Sequence, residues 1–458
     1  MKKILSLILC LLFGFSLFLA GCGTSLSNVT NKQKGIIFNG GSVALVSDYL
    51  FYANGFASDY SSMEDMDAYN KATKYASLSR IKTSNIEKAT KYKSSKNVEK
   101  VSENDLTGFS KTYMFAYGQD LYYVTPNTEK TSENKQAFGY LAVNKIGFNG
   151  ANASKIYRTQ QAFDAEKGKI VALEYKSVAY IMIYDGKNLV TIDITNGGTK
   201  VELGDVTSVA FPQENANWNG KIYYTKNAKG ATDEKGNEVY SVSVSGGKAS
   251  KITNNGENSG TIKFIGRIDN SAFYTLSNAD GSSAPTYIVD CAKLGSEIFT
   301  SASENFYPKE ISNIVKVDGG ETYFDQDGYV FTANGVVLYD NILDDADPVK
   351  LIDNSTYASA KVITAVGTYV YFATTSGIYK VVTSSKEVTT IIDGMTIKTE
   401  KFGYTYNFAE GECVSLKDVY FFAQRAYEDD AKDKSDTNVY LYQVSTNGED
   451  AKLLGKTI

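Results

Sequence analysis

The sequence predicts an all-β protein built from repeated small antiparallel sheets, and three observations support this prediction. Short runs rich in Tyr, Val, Ile and Thr alternate apolar and polar residues along most of the 458-residue chain. This alternation has the period of a strand and not that of a helix. Gly, Asn, Asp and Ser bound the runs and mark turns. One aromatic-rich unit also recurs along the chain, which indicates repeated copies of one structural element.

The recurring unit is a turn followed by an apolar anchor residue and one or more aromatic residues. Examples are DYLFYAN at 48–54, GKIYYTKN at 220–227 and KDVYFFAQ at 417–424. The anchors of the eight units are Leu50, Leu121, Ile181, Ile222, Ala272, Val330, Val370 and Val419. Successive anchors are about 53 residues apart, which leaves room for four strands per unit with the anchor on the second. Such repeats, with periods of roughly 40–50 residues, are typical of β-propeller blades.

We therefore expect residues 36–458 to form a β-propeller of eight four-stranded blades, with seven blades and an extra hairpin as the alternative. A single small sheet leaves two apolar faces exposed, whereas stacked blades bury them against each other. The 34 Tyr and 23 Phe residues supply large side chains for these interfaces. Closure of the ring would also cover the sheet edges.

The N-terminus predicts export and membrane anchoring. Residues 1–21 combine Lys2 and Lys3 with a long apolar run, as in a secretory signal peptide. The ending Leu19-Ala20-Gly21-Cys22 resembles the lipobox of bacterial lipoproteins. By that resemblance, cleavage precedes Cys22, whose thiol carries diacylglycerol, and an uncleaved anchor is the alternative. Residues 22–35 predict a lipidated Cys and a polar tether, so the domain is expected to be extracytoplasmic and held at the membrane.

The unit at 220–253 also resembles a known family. Its sequence is similar to the "IYYT…IY…DG…KLT" repeat of bacterial surface lipoproteins with a β-propeller domain of unknown function, which is itself similar to YWTD-like propeller repeats. Ser-Gly-Gly at 245–247 stands where that family usually has Asp-Gly. The resemblance implies an extracytoplasmic propeller, and it implies no catalytic residues.

Composition excludes several classes of function. The chain has no His, which removes Ser-His-Asp and Cys-His catalysis and His-ligated zinc. The net charge of −5 argues against a nucleic-acid partner, because basic patches supply most of that affinity. Beyond the leader and Cys22, only Cys291 and Cys413 remain, either as two buried thiols or as one bridge. We predict a protein that is not an enzyme and holds no cofactor.

The longest connections between second and third strands indicate where a ligand would bind. The insertions at 54–74 and 424–437 belong to the first and last units, which become neighbours if the ring closes. Together they predict an acidic, aromatic-edged patch, although two solvated loops are the alternative interpretation. The predicted ligand-binding residues are Asp59, Tyr60, Glu64, Asp65, Asp67, Tyr427, Glu428, Asp429, Asp430 and Asp433.

These observations together predict a non-catalytic binding module. Neither insertion has the D-x-[DN]-x-[DN]-G spacing of a dedicated calcium loop, so no metal site is predicted and Ca²⁺ is kept as an alternative. The expected partners are the membrane, through the lipid at Cys22, and a protein, glycan or cell-wall ligand at the cell surface. The alternative function is a carboxylate-based enzyme that acts on extracellular carbohydrate.

Replacement of Cys22 tests the lipid anchor. Because the thiol is the predicted acylation site, Cys22→Ala is expected to abolish incorporation of radiolabelled palmitate. Cys291→Ala serves as the matched control and should retain full labelling. Undiminished labelling of Cys22→Ala would show that the leader is not a lipoprotein signal.

Overall fold

The structure is a computed structural model of the whole chain. It describes residues 26–38, 43–54, 65–73, 76–86, 97–103, 113–130, 138–164, 166–212, 218–229, 236–253, 261–268, 270–277, 283–291, 323–324, 329–332, 335–338, 349–353, 356–357, 360–366, 368–399, 404–415, 418–425, 440–445 and 456–457. These residues form antiparallel sheets almost throughout, which confirms the all-β prediction.

The first half of the chain forms four sheets of four strands each. Sheet 1 contains β1 (Val43–Val46), β2 (Tyr49–Asn54), β3 (Ser77–Lys82) and β4 (Val98–Glu103). Sheet 2 contains β5 (Met114–Tyr117), β6 (Asp120–Pro126), β7 (Tyr140–Gly147) and β8 (Ser154–Ala162). Sheet 3 contains β9 (Lys169–Tyr175), β10 (Val178–Tyr184), β11 (Leu189–Asp193) and β12 (Thr199–Leu203). Sheet 4 contains β13 (Ser208–Ala210), β14 (Lys221–Asn227), β15 (Asn237–Ser243) and β16 (Ser250–Lys251).

The second half continues the series with less uniform sheets. Sheet 5 contains β17 (Thr261–Ile268), β18 (Ser271–Ser277) and β19 (Ser283–Asp290). Sheet 6 contains β20 (Tyr323–Phe324), β21 (Tyr329–Thr332), β22 (Gly335–Leu338) and β23 (Val349–Asp353). Sheet 7 contains β24 (Lys361–Val366), β25 (Tyr369–Thr374), β26 (Gly377–Val382) and β27 (Val388–Asp393). Sheet 8 contains β28 (Thr396–Thr399), β29 (Tyr404–Ser415), β30 (Asp418–Arg425), β31 (Tyr440–Ser445) and β32 (Lys456–Thr457).

Two sheets depart from the predicted four strands. Sheet 5 shows three strands among the described residues, and the segment where a fourth would follow, 292–322, lies outside them. Sheet 8 has five strands because β28 pairs with the N-terminal part of the unusually long β29. Two short helices lie within sheet 1 connections, namely α1 (Met66–Thr73) and α2 (Thr83–Ile86).

Every sheet is a meander in which strands adjacent in sequence pair with each other. The predicted anchor lies on the second strand of each sheet, except that it lies on the third strand, β30, of five-stranded sheet 8. Seven of the anchors are 0% exposed, and the burial of Val330 lies outside the described residues. In sheet 3, for example, Ile181 pairs with Ala172 on β9 and with Ile192 on β11. A central strand position of this kind buries the anchor fully.

Alternate residues of one strand pack against different neighbouring sheets. On β10, Tyr180 and Met182 belong to a hydrophobic cluster shared with sheet 4, whereas Ile181 and Ile183 belong to one shared with sheet 2. Successive side chains of a strand point to opposite faces, so both faces of sheet 3 are buried. This pattern explains why a central strand such as β10, with the sequence VAYIMIY, is a nearly continuous apolar run.

Contacts between sheets follow their order along the chain. β1 contacts β5, β13 contacts β17, β17 contacts β20, and β24 contacts β29. β1 also contacts β29, so the first sheet lies beside the last. Most of these strands are the first of their sheet, so neighbouring sheets contact each other mainly through their first strands.

The meanders give the sheets two different ends. We call the end with the first-to-second and third-to-fourth connections the turn end, and the opposite end the loop end. Neighbouring sheets are aligned at the turn end, where the Trp218 Nε1 donates to the Glu174 carbonyl over 3.1 Å and the Asn219 amide donates to Asn270 Oδ1 over 3.1 Å. In sheet 1, α1 follows the second strand, so this described part of the first predicted insertion lies at the loop end.

Residues 26–38, which we call the N-terminal segment, pack against sheets 1 and 2. Val29 is buried in the hydrophobic cluster between these sheets, and Leu26 packs against the same cluster. Farther along, Ile37 forms an antiparallel bridge with Ala116 of β5, with N–O distances of 2.8 and 2.9 Å. The described part of the predicted tether, from residue 26, is thus in contact with the domain.

The buried Arg80 on β3 holds the start of this segment. Its guanidinium donates to the Glu99 carboxylate over 2.6 Å, to the Phe148 carbonyl over 2.8 Å and to Ser27 Oγ over 3.1 Å. It also lies 4.7 Å from the ring centroid of Tyr49. Because a buried charge is costly unless it is paired and hydrogen-bonded, these contacts fix the local arrangement.

Two further features bear on the predictions from sequence. Cys291 is buried, and the side chain of Cys413 lies outside the described residues, so both cysteine alternatives stay predictions. In the part of the chain that the structure describes, no helix has the length and apolar character needed to cross a membrane.

Buried tyrosines make the fold sensitive to alkaline pH. Burial raises the pKa of Tyr224 to about 12, whereas an unfolded tyrosine ionises near pH 10. Between these values the folded state retains a proton that the unfolded state has lost, so the free energy of unfolding falls by about 1.4 kcal/mol per pH unit for this group. Tyr224→Phe should therefore give a shallower decline in urea-unfolding free energy from pH 10 to 12. An unchanged slope would contradict this assignment.

Candidate binding site

Two insertions meet at the loop end of sheets 1 and 2. The connection from β2 to β3 carries α1, and the connection from β6 to β7 follows Pro126. The Tyr69 ring on α1 stacks on Phe138 of the second connection, with ring centroids 4.9 Å apart and an interplanar angle of 9°. Tyr69 is buried, so this stack ties the helix to sheet 2.

α1 begins at a capping residue. Asp65 Oδ1 accepts a hydrogen bond from the Ala68 amide over 2.8 Å, and the Asp65 carbonyl accepts one from the Tyr69 amide over 3.2 Å. This is the geometry of an N-cap, which satisfies amides that have no partner within the helix. Asp67 is exposed in the first turn, where a carboxylate is favoured by the helix dipole. Helix formation therefore accounts for both acidic residues.

A polar cleft of about 440 Å³ lies between α1 and sheet 2. Met66 and Tyr69 line it from the helix, and Asn127 and Glu129 line it from the second insertion. Lys155, on β8, closes one side. Strands of sheet 2 supply Thr125, Asn144 and Lys155, so these polar groups are held by a rigid scaffold.

Asn127 places an unsatisfied acceptor beside this cleft. The side chain is 0% exposed, and its Nδ2 donates to the Glu129 carbonyl over 2.7 Å. Its Oδ1 has no hydrogen-bond partner among the residues that the structure describes. The same holds within those residues for Oδ1 of buried Asn54, which ends β2 of sheet 1. A buried acceptor without a partner costs about 1–3 kcal/mol, so Asn127 Oδ1 is a position where a ligand donor would be favourable.

An ion pair sets the charge of the cleft. Glu129 and Lys155 form a salt bridge, and the hydrogen bond from the Lys155 ammonium lowers the pKa of the Glu129 carboxyl. The Arg158 charge lowers this pKa further. Glu129 is therefore ionised at neutral pH and suits a hydrogen-bond acceptor or a base, and not a general acid.

A second amide is held in place on the floor of the cleft. Asn144 on β7 donates from Nδ2 to Thr125 Oγ1 on β6 over 2.9 Å. The two residues line the cleft from adjacent strands of sheet 2. This cross-strand hydrogen bond orients the Asn144 amide before any ligand arrives.

The structure describes two of the predicted ligand-binding residues. Asp65 and Asp67 lie at the start of α1, which contacts sheet 2 through Tyr69. The remaining predicted site residues lie outside the described residues, and so does the lipidation residue: Asp59, Tyr60, Glu64, Tyr427, Glu428, Asp429, Asp430, Asp433 and Cys22. The predicted meeting of the first and last insertions therefore stays a prediction.

The cleft residues Asn127, Glu129, Asn144 and Lys155 were not predicted from sequence. A signal was present, because the insertion at 126–138 is one of the longest between second and third strands. Asn also recurs at the end of the second strand, as in Asn54 and Asn227. The insertions at 54–74 and 424–437 contain more acidic residues, and the prediction from sequence was based on those residues.

Metal binding has no support in the described part of the chain. Among those residues, no group of three or more Asp, Glu, Cys or His side chains could hold a metal ion. The Ca²⁺ alternative depends on insertions that lie outside them and stays a prediction.

Comparisons with known proteins give no family assignment. No family model matches the chain, and no curated protein matches it. Among solved structures, apo AztD from Citrobacter koseri is 14% identical with a TM-score of 0.34, covering 69% of this chain and 93% of its own. Dipeptidyl peptidase 4 from Porphyromonas gingivalis is 11% identical with a TM-score of 0.43, covering 95% of this chain and 62% of its own.

A third similar structure is an oligogalacturonate lyase from Vibrio parahaemolyticus. It is 9% identical with a TM-score of 0.31 and covers 74% of this chain and 75% of its own. The similar structures thus include two enzymes beside AztD, all at very low identity.

The capping role of Asp65 can be separated from a ligand role. Asp65→Ala is expected to lower the free energy of unfolding by about 1 kcal/mol, because it removes the N-cap of α1. Asp67→Ala, two residues away and exposed, should change it by less than about 0.5 kcal/mol. Urea unfolding of both variants measures the difference. Equal effects would show that Asp65 does not cap the helix.

Proposed function

We propose that this chain is a lipoprotein anchored on the outer side of the cell membrane, whose eight sheets are the blades of one closed β-propeller. Contact between β1 and β29 supports closure, because it places the first sheet against the last. The lipobox-like Leu19-Ala20-Gly21-Cys22 supports the anchor. A second acyl chain on the Cys22 amine would make the attachment stable, since a single chain binds membranes only marginally.

The proposed activity is non-catalytic binding of a glycan at the loop end of sheets 1 and 2. The observation that supports it is buried Asn127 Oδ1 at the cleft, an acceptor without a partner among the described residues. Sugar hydroxyls are donors that would satisfy it. Glu129 and Asn144 add further acceptor oxygens, and Tyr69 adds an aromatic wall. Polar groups on a rigid frame with one aromatic side suit a ligand rich in hydroxyl groups.

Hydrolysis of extracellular carbohydrate is the alternative function. Glycosidases of the common types use two carboxyl groups, one of which is protonated to act as general acid. Of the described residues that line the cleft, Glu129 alone is a carboxylate, and its pKa is lowered. These observations favour binding over hydrolysis at this cleft.

A direct test uses residues 22–458 with Cys22→Ser and a panel of cell-wall and capsular oligosaccharides. Titration calorimetry should detect binding by at least one glycan class. Asn127→Leu should weaken it roughly 5- to 100-fold, because the buried donor on the ligand loses its acceptor. Asn127→Asp, which retains an acceptor oxygen, should bind more tightly than Asn127→Leu.

The results of this titration distinguish glycan binding at the cleft from binding at another site, from hydrolysis and from binding of a protein. Binding that is equal in all three proteins would move the site away from the cleft, to the insertions at 54–74 and 424–437 or elsewhere. Release of new reducing ends during the titration would establish the enzymatic alternative. Absence of glycan binding, together with capture of an envelope protein that depends on the 424–437 insertion, would overturn the glycan proposal.

A further inference from the structure

The N-terminal segment leaves the domain in a defined direction. Ser47 Oγ, in the turn between β1 and β2, donates to the Thr30 carbonyl over 2.8 Å. Asn149 Nδ2, in the turn between β7 and β8, donates to Asn28 Oδ1 over 2.9 Å. Both turns belong to the turn end, so residues 28–30 lie on that end of sheets 1 and 2.

Strand direction gives the same result independently. β5 runs from the loop end to the turn end, because the connection that follows it is the turn at 118–119. Ile37 pairs with Ala116 of β5 in antiparallel orientation. The chain at Ile37 therefore runs from the turn end toward the loop end, so the described residues before it, 26–36, approach it from the turn end.

The segment is held firmly at its start. Ser27 Oγ accepts from buried Arg80, and Val29 is buried between sheets 1 and 2. Gln119, in the turn after β5, exchanges two hydrogen bonds of 3.4 Å with the Asn31 backbone. Side-chain bonds from both sheets and apolar burial together fix residues 27–31 against the domain.

Covalent geometry limits the distance to the anchor. Ser27 is five residues beyond Cys22. Because a fully extended chain spans at most about 3.6 Å per residue, the Cα atoms of these two residues lie within about 18 Å of each other. By contrast, β8 has nine residues and spans about 30 Å from the turn end to the loop end. The linker from lipid to domain is therefore shorter than the domain is tall.

We propose that the turn end of this domain faces the bilayer and that the N-terminal segment sets this orientation by being fixed to Arg80 and the turns of sheets 1 and 2. The partner is the lipid surface, and the loop end with its cleft is directed away from it. This inference rests on the proposed lipidation of Cys22. It explains how a short anchor leaves the cleft accessible to an extracellular ligand.

Two label positions on opposite ends of β8 test the orientation. Ala153→Cys lies at the turn end and Glu166→Cys at the loop end, and both positions are exposed. Each is introduced into the full-length lipidated protein with Cys291→Ala and Cys413→Ala, labelled with a donor fluorophore and reconstituted into phosphatidylethanolamine and phosphatidylglycerol vesicles that carry an acceptor lipid. Energy transfer from position 153 should exceed that from position 166 by about twofold or more, because the two ends are about 30 Å apart.

A linker variant and an anchor variant complete the experiment. Insertion of about twenty Gly/Ser residues between Gly23 and Thr24 adds roughly 25 Å of flexible reach and should remove most of the difference between the two positions. Equal transfer at 153 and 166 in the natural chain, or higher transfer at 166, would overturn the orientation. Cys22→Ser tests the anchor separately, because vesicle recovery that is unaffected by it would refute lipidation at this residue and not the geometry of the segment.

Discussion

The central strands of this protein have to bury both of their faces, and most of its architecture follows from that constraint. On β10, Ile181 and Ile183 pack against sheet 2, whereas Tyr180 and Met182 pack against sheet 4. A sheet with two apolar faces is stable only between two others, so the sheets stack in chain order. The end sheets of an open stack would leave one apolar face in water. β1 contacts β29, so sheet 1 lies beside sheet 8, and this contact supports the proposed closure of the stack.

The turn end and the loop end lie at opposite ends of the strands. At the turn end, neighbouring sheets are joined by hydrogen bonds such as that from Trp218 Nε1 to the Glu174 carbonyl. Buried Arg267 lies over the Trp218 and Tyr223 rings and donates to the Lys221 carbonyl, so the same end is also stabilised by cation–π contacts. The loop end of sheets 1 and 2 carries α1 and the cleft. In the proposed function, attachment at one end and binding at the other would not compete for the same surface.

The cleft lies at a position that is repeated in neighbouring sheets, but its lining differs between the repeats. Asn54 ends β2 and Asn127 directly follows β6, the second strands of sheets 1 and 2, and each buries an amide oxygen without a partner in the described chain. Beside Asn127, α1, Glu129 and Lys155 line a polar cleft. The insertions, and not the repeat itself, therefore make this part of the loop end distinct.

The amino-acid sequence by itself determined the all-β class, the four-strand unit and its buried anchors, because strand period and turn residues are local properties of the chain. It could not determine which insertions meet, since that depends on how long-range sheet packing aligns their ends. Acidic composition pointed to the insertions of the first and last units, whereas the Tyr69–Phe138 stack joins those of the first and second. Likewise, residues 26–35 are polar enough to be predicted as a tether, and only the tertiary structure supplied the Arg80 side chain and the apolar cluster that hold Ser27 and Val29 in place.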